Sequence, residues 1–400
     1  MFDPDYLASL YALRGQQHPL PPLEAITPPR VASPSRDLAP LGESALARGE
    51  VAALLVAGGQ GSRLGFHQPK GMYPVGPLSG KSLFQIHAEK VLAASMRHGQ
   101  AVPLLIMTSQ ATHEDTERYL QAHGNFGLDP GQVELFQQGM MPTLCLHSGE
   151  PLFEAPGKPY LSPDGHGGAL TALASSGLLE RLRRQGIRHV FYFQVDNPLA
   201  PVADPVFLGH HIAAQAEVSS KVVPKRDATE KAGVFVEVDG RHTIIEYSDL
   251  PEHLAHEKDR SGRLKLWAAS PAIHLFDVGL LARMTESAEG LPLHVAKKKV
   301  PHLGDPSPND VNALKFERFI FDVLPKAERW VLLEAAREEE FAPLKNAEGH
   351  DSPESVREAL LAYSERRLRE AGARPHGEVE VSPLADLSAL AGRRVTGLVR

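Results

Sequence analysis

The run Val51-Ala52-Ala53-Leu54-Leu55-Val56-Ala57, followed at once by Gly58-Gly59-Gln60-Gly61-Ser62-Arg63-Leu64-Gly65, limits the possible folds more than any other stretch of this chain. Apolar residues without polar alternation suit a strand covered on both faces, the setting of a parallel sheet flanked by helices. Glycines directly behind such a strand let the backbone approach a ligand and aim N–H groups at phosphate oxygens, and Arg63 adds a fixed cation. Two familiar phosphate motifs fail here. A dinucleotide G-x-G-x-x-G from Gly59 needs glycine where Leu64 stands, and one from Gly61 meets Arg63 and Phe66. Gly80-Lys81-Ser82 resembles the end of a P-loop, but the first glycine of that motif falls at Val75.

Further strands are expected at Pro103 to Met107, Val133 to Phe136 and His189 to Val195, alternating with helical patterns at Ser82 to His98 and Ala169 to Gln185. Strands spaced by helices of this length predict right-handed βαβ units and a largely parallel α/β sheet. From Ser219 to Tyr247 the pattern changes to short β-rich pieces around Asp239-Gly240, a hairpin dipeptide, which predicts an antiparallel extension forming one wall of a substrate cleft. Before Val51 stand a helix-like stretch, Tyr6 to Arg14, and a Pro-rich segment, Pro19 to Pro40, read as an arm or small lobe. Charged helical segments are expected at Arg329 to Glu340 and Ser355 to Ala371, ahead of a β-like tail. The division is thus a lobe over 1–50, a catalytic domain over 51–325 and an α+β domain over 326–400.

With 400 residues, the chain has room for two or three domains and a sizeable core, so it needs no disulfide or metal staple. Its one cysteine, Cys145, reads as a packed apolar residue, and the chain is expected to be cytoplasmic. No apolar run is long enough to span a bilayer, and the first twenty residues carry acidic side chains without a cleavage-type apolar stretch. A formal charge of −7 argues against a general nucleic-acid binder, so any phosphate site must be local.

Several residues can serve such a site. Lys70, in Pro69-Lys70-Gly71-Met72, can reach the outer phosphates of a nucleoside triphosphate. Asp196 follows a buried strand at its C-terminal end, where ligands sit in open α/β sheets; it reads either as a helix cap or as an oxygen ligand for Mg²⁺. The turn Ser162 to Gly168, containing Gly165 and His166, either caps a helix or offers N–H donors to a base or phosphate. Gln138 carries an amide able to donate to and accept from a pyrimidine edge. Lys297-Lys298-Lys299 and Lys345-Asn346 alone would be a solvated charge run and an exposed turn.

In this order the features resemble the eukaryotic-type UDP-sugar pyrophosphorylase family. The matching strings include Ala57 to Gly65, Pro69-Lys70-Gly71-Met72-Tyr73, Phe136-Gln137-Gln138-Gly139-Met140, Val195-Asp196-Asn197, Glu246-Tyr247-Ser248, Phe316 to Asp322 and Pro343-Leu344-Lys345-Asn346-Ala347. The resemblance implies a Rossmann-like nucleotidyltransferase core with a mostly parallel mixed sheet and small N- and C-terminal domains. It also implies the reaction of UTP with a sugar 1-phosphate, with Mg²⁺, giving UDP-sugar and pyrophosphate. By position, Ala57, Gly58, Gly59 and Gly61 would hold the nucleotide, with Arg63 and Lys70 at the triphosphate. Gln138 and Gly165, with His166 beside them, would read the base, and Asp196 would bind the metal. Asn197, Gly233 and Glu246 would contact the sugar, and Lys345 and Lys298 the sugar phosphate.

The attacking phosphate is already ionised near neutral pH, so such a reaction needs positioning and charge neutralisation, with no general base and no covalent intermediate. The absence of an obvious nucleophile agrees with this. Two departures bear on the acceptor. Ala268-Ala269-Ser270-Pro271 stands where the family carries Asn-Ala-Gly-Asn, and His166 stands where its acetamido-sugar members carry asparagine. N-acetylglucosamine 1-phosphate is the first acceptor expected, with glucose or galactose 1-phosphate the alternative. A UDP-sugar-binding protein without turnover is the reading of a different class.

Overall fold

In the computed structural model, which describes residues 2–15, 20–286 and 290–400, the central sheet has ten strands. In chain order they are β1 (Val51–Val56), β2 (Leu104–Thr108), β3 (Val133–Gln137), β4 (His189–Gln194), β5 (Val218–Pro224), β6 (Val234–Val238), β7 (Arg241–Ile245), β8 (Ala268–Ala269), β9 (His274–Asp277) and β10 (Trp330–Glu334). The spatial order is β7-β6-β8-β5-β9-β4-β1-β2-β3, with β10 also paired to β5. Strands β4, β1, β2 and β3 run parallel, whereas β9 is antiparallel to both β4 and β5. The sheet is therefore mixed, with its parallel half built from the apolar runs visible in the sequence.

Both faces of that half are covered. Ala52 and Leu54 of β1 pack with Leu170, Leu173, Leu182 and Leu281, from the helices Gly168–Ser175, Leu178–Arg184 and Val278–Glu286. Val51, Ala53 and Leu55 pack the other way, against Phe84, Val91, Ala45 and Phe207 from the helices Leu83–His98, Ala39–Ala47 and Pro205–Ala213. At roughly 1.5–3 kcal/mol for each large apolar side chain buried, this double cover is the main force fixing the strands. It leaves the loops at their C-terminal ends as the open edge.

Local signals explain most boundaries. Ser82 Oγ accepts from the Gln85 N–H (3.1 Å) to start the helix Leu83–His98, and Gly99, at φ 67°, ends it. Asp239 and Gly240, at φ 49° and 73°, form the turn of the β6–β7 hairpin. Two expectations need correction. The helical pattern from Ala169 to Gln185 is two helices, because Gly177 at φ 72° turns the chain between them. Arg329 to Glu340 is not a charged helix. Its apolar part, Trp330-Val331-Leu332-Leu333, is paired in parallel with Val218 to Lys221 as β10, and only Arg337–Glu340 is helical.

The N-terminal helix Pro4–Ala12 packs Leu10 against Leu144, Leu314 and Phe316, and the following chain bridges at Thr27 to Glu237 and at Ala32 to Leu333. Pro19 of the Pro-rich segment lies outside the described residues. At the other end, the helix Pro353–Glu370 precedes a parallel pair, Arg374–Val381 and Arg394–Val399. Glu380 fastens this pair to the core by accepting from the Leu78 and Ser79 N–H groups, both at 2.7 Å. Among the described residues, no helix is long and apolar enough to cross a membrane.

Candidate active site

The glycine loop leaves β1 beside the carboxylate loop that leaves β4, because the Val195 N–H donates to the Val56 carbonyl (3.0 Å). Glycine is required at two positions of the first loop. A side chain at Gly58 would overlap Gln138 Oε1, and one at Gly61 would lie 2.8 Å from the Phe66 carbonyl oxygen. The loop's own hydrogen bonds, Lys70 N–H to the Gly59 carbonyl (3.0 Å) and Gly61 N–H to the Gln68 carbonyl (3.1 Å), fold Lys70 back over it. Gly58→Ala should displace the Gln138 amide, and steady-state kinetics should show the KM for the nucleotide that the resemblance implies rising roughly tenfold, the equivalent of one lost hydrogen bond of about 1.5 kcal/mol.

Asp196, Lys70 and the segment before Lys345 meet at this edge. Lys70 Nζ lies 3.6 Å from Asp196 Oδ2 and donates to the Leu344 carbonyl (3.2 Å), while the Leu344 N–H donates to the Asp196 carbonyl (2.8 Å). Three strings far apart in sequence are thereby locked together. The Lys345 ammonium lies over the Phe341 ring, 5.6 Å from its centroid, and the Lys345 N–H donates to the Asp351 carbonyl (2.7 Å).

Next to this junction opens a cavity of roughly 480 Å³ whose lining includes Arg63, His166, Gly233, Glu246, Ser270 and Lys345. The antiparallel β6–β7 extension forms one wall, as the sequence predicts. Burial, with the Asp249 charge nearby, holds the Glu246 carboxyl above its ordinary range, against the opposing pull of Lys345. A side chain at Gly233 would come within 3.2 Å of Glu246 Oε1, so glycine there preserves the carboxylate's position. The Ser270 N–H donates to the Gly233 carbonyl (2.9 Å), fixing the stretch that departs from the family pattern against this wall. His166 stacks on Phe319 and accepts at Nδ1 from the Ile320 N–H (3.2 Å), so its proton is on Nε2. Burial pushes its pKa down to about 4, so the ring is a neutral donor at physiological pH.

Two expected sugar contacts are placed elsewhere. Asn197 is 2% exposed and its amide is committed to backbone: Nδ2 donates to the Glu340 carbonyl (2.7 Å), and Oδ1 accepts from the Ala342 N–H (3.1 Å). It holds the segment leading to Lys345. Asn197→Ala should therefore cost about 1–3 kcal/mol in a melting experiment, by orphaning two partly buried backbone groups. A sugar contact would instead raise the KM for the sugar phosphate at unchanged stability. Lys298 is exposed at the end of the strand His294–Lys298, in a separate three-stranded sheet, and does not line the cavity.

Asp164 was not expected from the sequence. It is buried between Gly139 and Gly168, where any side chain on either glycine would strike its carboxylate, and Oδ1 has no hydrogen-bond partner among the described residues. Burial raises its pKa. The glycines flanking it in Gly139 and Gly165 to Gly168 were the only signal.

Among the described residues, no group of three or more His, Cys, Asp or Glu could hold a metal. A lone carboxylate, Asp196, beside a phosphate loop still fits Mg²⁺, which characteristically takes one or two carboxylates, substrate phosphates and water.

A doubly covered sheet with a glycine-rich phosphate loop at its C-terminal edge, a carboxylate in the loop after the neighbouring strand and cations at a sugar-sized cavity defines a nucleotidyltransferase. The model of the UTP–glucose-1-phosphate uridylyltransferase family matches residues 23–377, and the chain belongs to that family. It is 41% identical over 346 residues to UDP-N-acetylglucosamine pyrophosphorylase of Saccharomyces cerevisiae, covering 83% of this chain and 72% of the yeast protein. It is also 41% identical to UDP-N-acetylglucosamine diphosphorylase 2 of Arabidopsis thaliana, covering 83% and 68%. Among solved structures, the Trypanosoma brucei UDP-N-acetylglucosamine pyrophosphorylase superposes with a TM-score of 0.83 at 28% identity, covering 96% of this chain and 84% of that one.

Proposed function

We propose that the protein is a uridylyltransferase that joins UTP to N-acetylglucosamine 1-phosphate, with Mg²⁺, and releases pyrophosphate. The observation carrying this reading is the shared cavity: Arg63 of the glycine loop and Lys345 line the same space as Glu246 and Gly233. A cation from the nucleotide side and another from the far side thus flank the place where two phosphates must meet. The sugar phosphate oxygen attacks the α-phosphorus of UTP in line, one P–O bond forms as another breaks, and pyrophosphate departs. No proton need move.

Arg63 and Lys70 neutralise the triphosphate, while Lys345 draws in and orients the acceptor phosphate. Preorganised charge of this kind is the principal source of rate in phosphoryl and nucleotidyl transfer. Asp196 is the residue that would hold Mg²⁺, which supplies charge neutralisation at the phosphates. Gln138 reads the uracil edge and the Glu246 carboxyl the sugar hydroxyls. Cys145, a half-buried free thiol, is compatible with a cytoplasmic setting.

A second acceptor reading rests on the stretch Ala268 to Pro271 and on His166. Neither carries the amide that the acetamido-sugar pattern has there, and the Ser270 hydroxyl with an imidazole donor also suits glucose or galactose 1-phosphate. Pyrophosphate release from UTP should be measured with each of the three sugar phosphates. Fastest release with the acetamido sugar is expected. Preference for glucose or galactose 1-phosphate would transfer the assignment to them, and no release with any acceptor would defeat the transferase reading.

A further inference from the structure

A second cavity, of roughly 250 Å³, lies between the helices Leu83–His98 and Pro353–Glu370 and the loop 198–205, and shares no residue with the catalytic cavity. Its floor is apolar, including Ile86, Val202 and Leu360. Its charged groups are unevenly satisfied. Both acids are already engaged: Asp204 pairs with Lys221 (2.9 Å), and Glu380 accepts from the Leu78 and Ser79 N–H groups. Lys81 pairs with Glu89. Lys90, Arg97 and Arg367 have no carboxylate partner among the described residues.

Arg367 makes the contrast plain. On the same helix Arg366 pairs with Glu339 and Arg369 with Glu365, whereas among the described residues the Arg367 guanidinium donates only to the Tyr363 hydroxyl (3.1 Å). It stands close enough to Lys90 that, after burial itself, its charge is the main cause holding the Lys90 pKa down, to about 7, against the opposing pull of Glu340. Like charges gathered over an apolar floor are costly unless an anion joins them, and Glu340, the carboxylate that acts on Lys90, is itself bound to Lys221 (2.8 Å). Lys90 Nζ meanwhile donates to the Pro198 and Ala200 carbonyls, at 2.5 and 2.8 Å. These carbonyls belong to the loop that carries Asp196 and Asn197. An anion drawn to Arg367 would compete for this ammonium and so bear on that loop.

We propose that this cavity is a regulatory site for a small organic anion with an apolar body, acting on the catalytic loop through Lys90. The geometry asks for both parts of such a ligand: the anionic group meets Arg367 and Lys90, and the body covers the floor beside Tyr363.

The probe is 8-anilinonaphthalene-1-sulfonate, an aromatic anion whose emission rises on binding, with neutral N-phenyl-1-naphthylamine as its uncharged counterpart. One sulfonate probe per chain should bind and stay bound under saturating UTP and Mg²⁺. Arg367→Gln, and independently the exposed Arg97→Ser, should weaken it, the former at least tenfold, with no change in the neutral probe. Saturating probe should alter the rate of pyrophosphate release at least twofold in the parent enzyme but not in Arg367→Gln, whose basal rate should match the parent's. Binding unaffected by either substitution, displaced by UTP, or equalled by the neutral probe would overturn the site. Binding lost in Arg367→Gln but without effect on rate would overturn its regulatory role. The binding arm needs no turnover, so its outcome is separable from that of the transferase assay.

Discussion

Asp196→Ala is expected to lower pyrophosphate release by about 10²–10³-fold or more, with the melting temperature within a few degrees of the parent's. The side chain is largely buried, and its described ion-pair partner is the Lys70 ammonium at 3.6 Å. Its backbone does the structural part, through the carbonyl that accepts from the Leu344 N–H. Alanine keeps that carbonyl and removes only the carboxylate. What is lost is the carboxylate proposed to hold Mg²⁺. Lys70 would keep its bond to the Leu344 carbonyl and still contribute charge at the triphosphate. The residual rate should therefore saturate with UTP but need far more Mg²⁺. Asp196→Ala activity equal to the parent's at every Mg²⁺ concentration would remove Asp196 from the mechanism and leave the cations to act alone.

The parallel half of the sheet and the glycine loop were legible in the sequence because their signals are local. An apolar run with both faces buried has no polar alternation, and a glycine forced by a close neighbour appears in the sequence as glycine. What could not be read depends on partners distant in the chain. The Asn197 amide finds its acceptor at the Glu340 carbonyl, 143 residues away, a commitment that the resemblance, which implied a sugar contact there, does not carry. Trp330 to Leu333 becomes a strand because β5 offers a pairing edge, whereas the neighbouring Glu and Arg residues suggested a helix. Lys298 was one of three consecutive lysines on a strand, where direction alternates with each residue and sequence alone cannot say which side faces the substrate. The cavity was half legible: Glu246, Gly233 and Lys345 converge, but the wall of Phe319 and Phe321 beside His166 depends on a segment about 150 residues later packing against the turn.

Acid should unfold the protein at a higher pH than its carboxylates alone would require. Burial pushes His87, His211 and His274 down to about 3, and His166 to about 4. Each already spends one ring nitrogen on a neutral bond. His87 Nε2 meets the Val195 carbonyl (2.9 Å), His211 Nδ1 the Ser219 hydroxyl (2.8 Å) and His274 Nδ1 the Ser220 hydroxyl (2.7 Å). The other nitrogens of His87 and His211 have no partner among the described residues, so a second proton would be stranded in the core. In the unfolded chain the same rings titrate near 6.5. A folded pKa below the unfolded one means that the unfolded state binds more protons, so this stability is complete above about pH 6.5 and is lost as pH falls toward 4 and then 3. Each histidine can contribute up to about 1.4 kcal/mol per pH unit across that window. Asp164, Glu246 and Glu340, which burial holds above their ordinary range, take protons more readily when folded and offset part of the loss. The melting temperature should fall by about 5 °C or more per pH unit between 6.5 and 5, where ordinary carboxylates scarcely titrate. His87→Gln retains a donor for the Val195 carbonyl but cannot ionise, and should flatten that slope even if it lowers stability at pH 7.5. A melting temperature constant from pH 7.5 to 5 would show that these rings take up protons in the folded state after all.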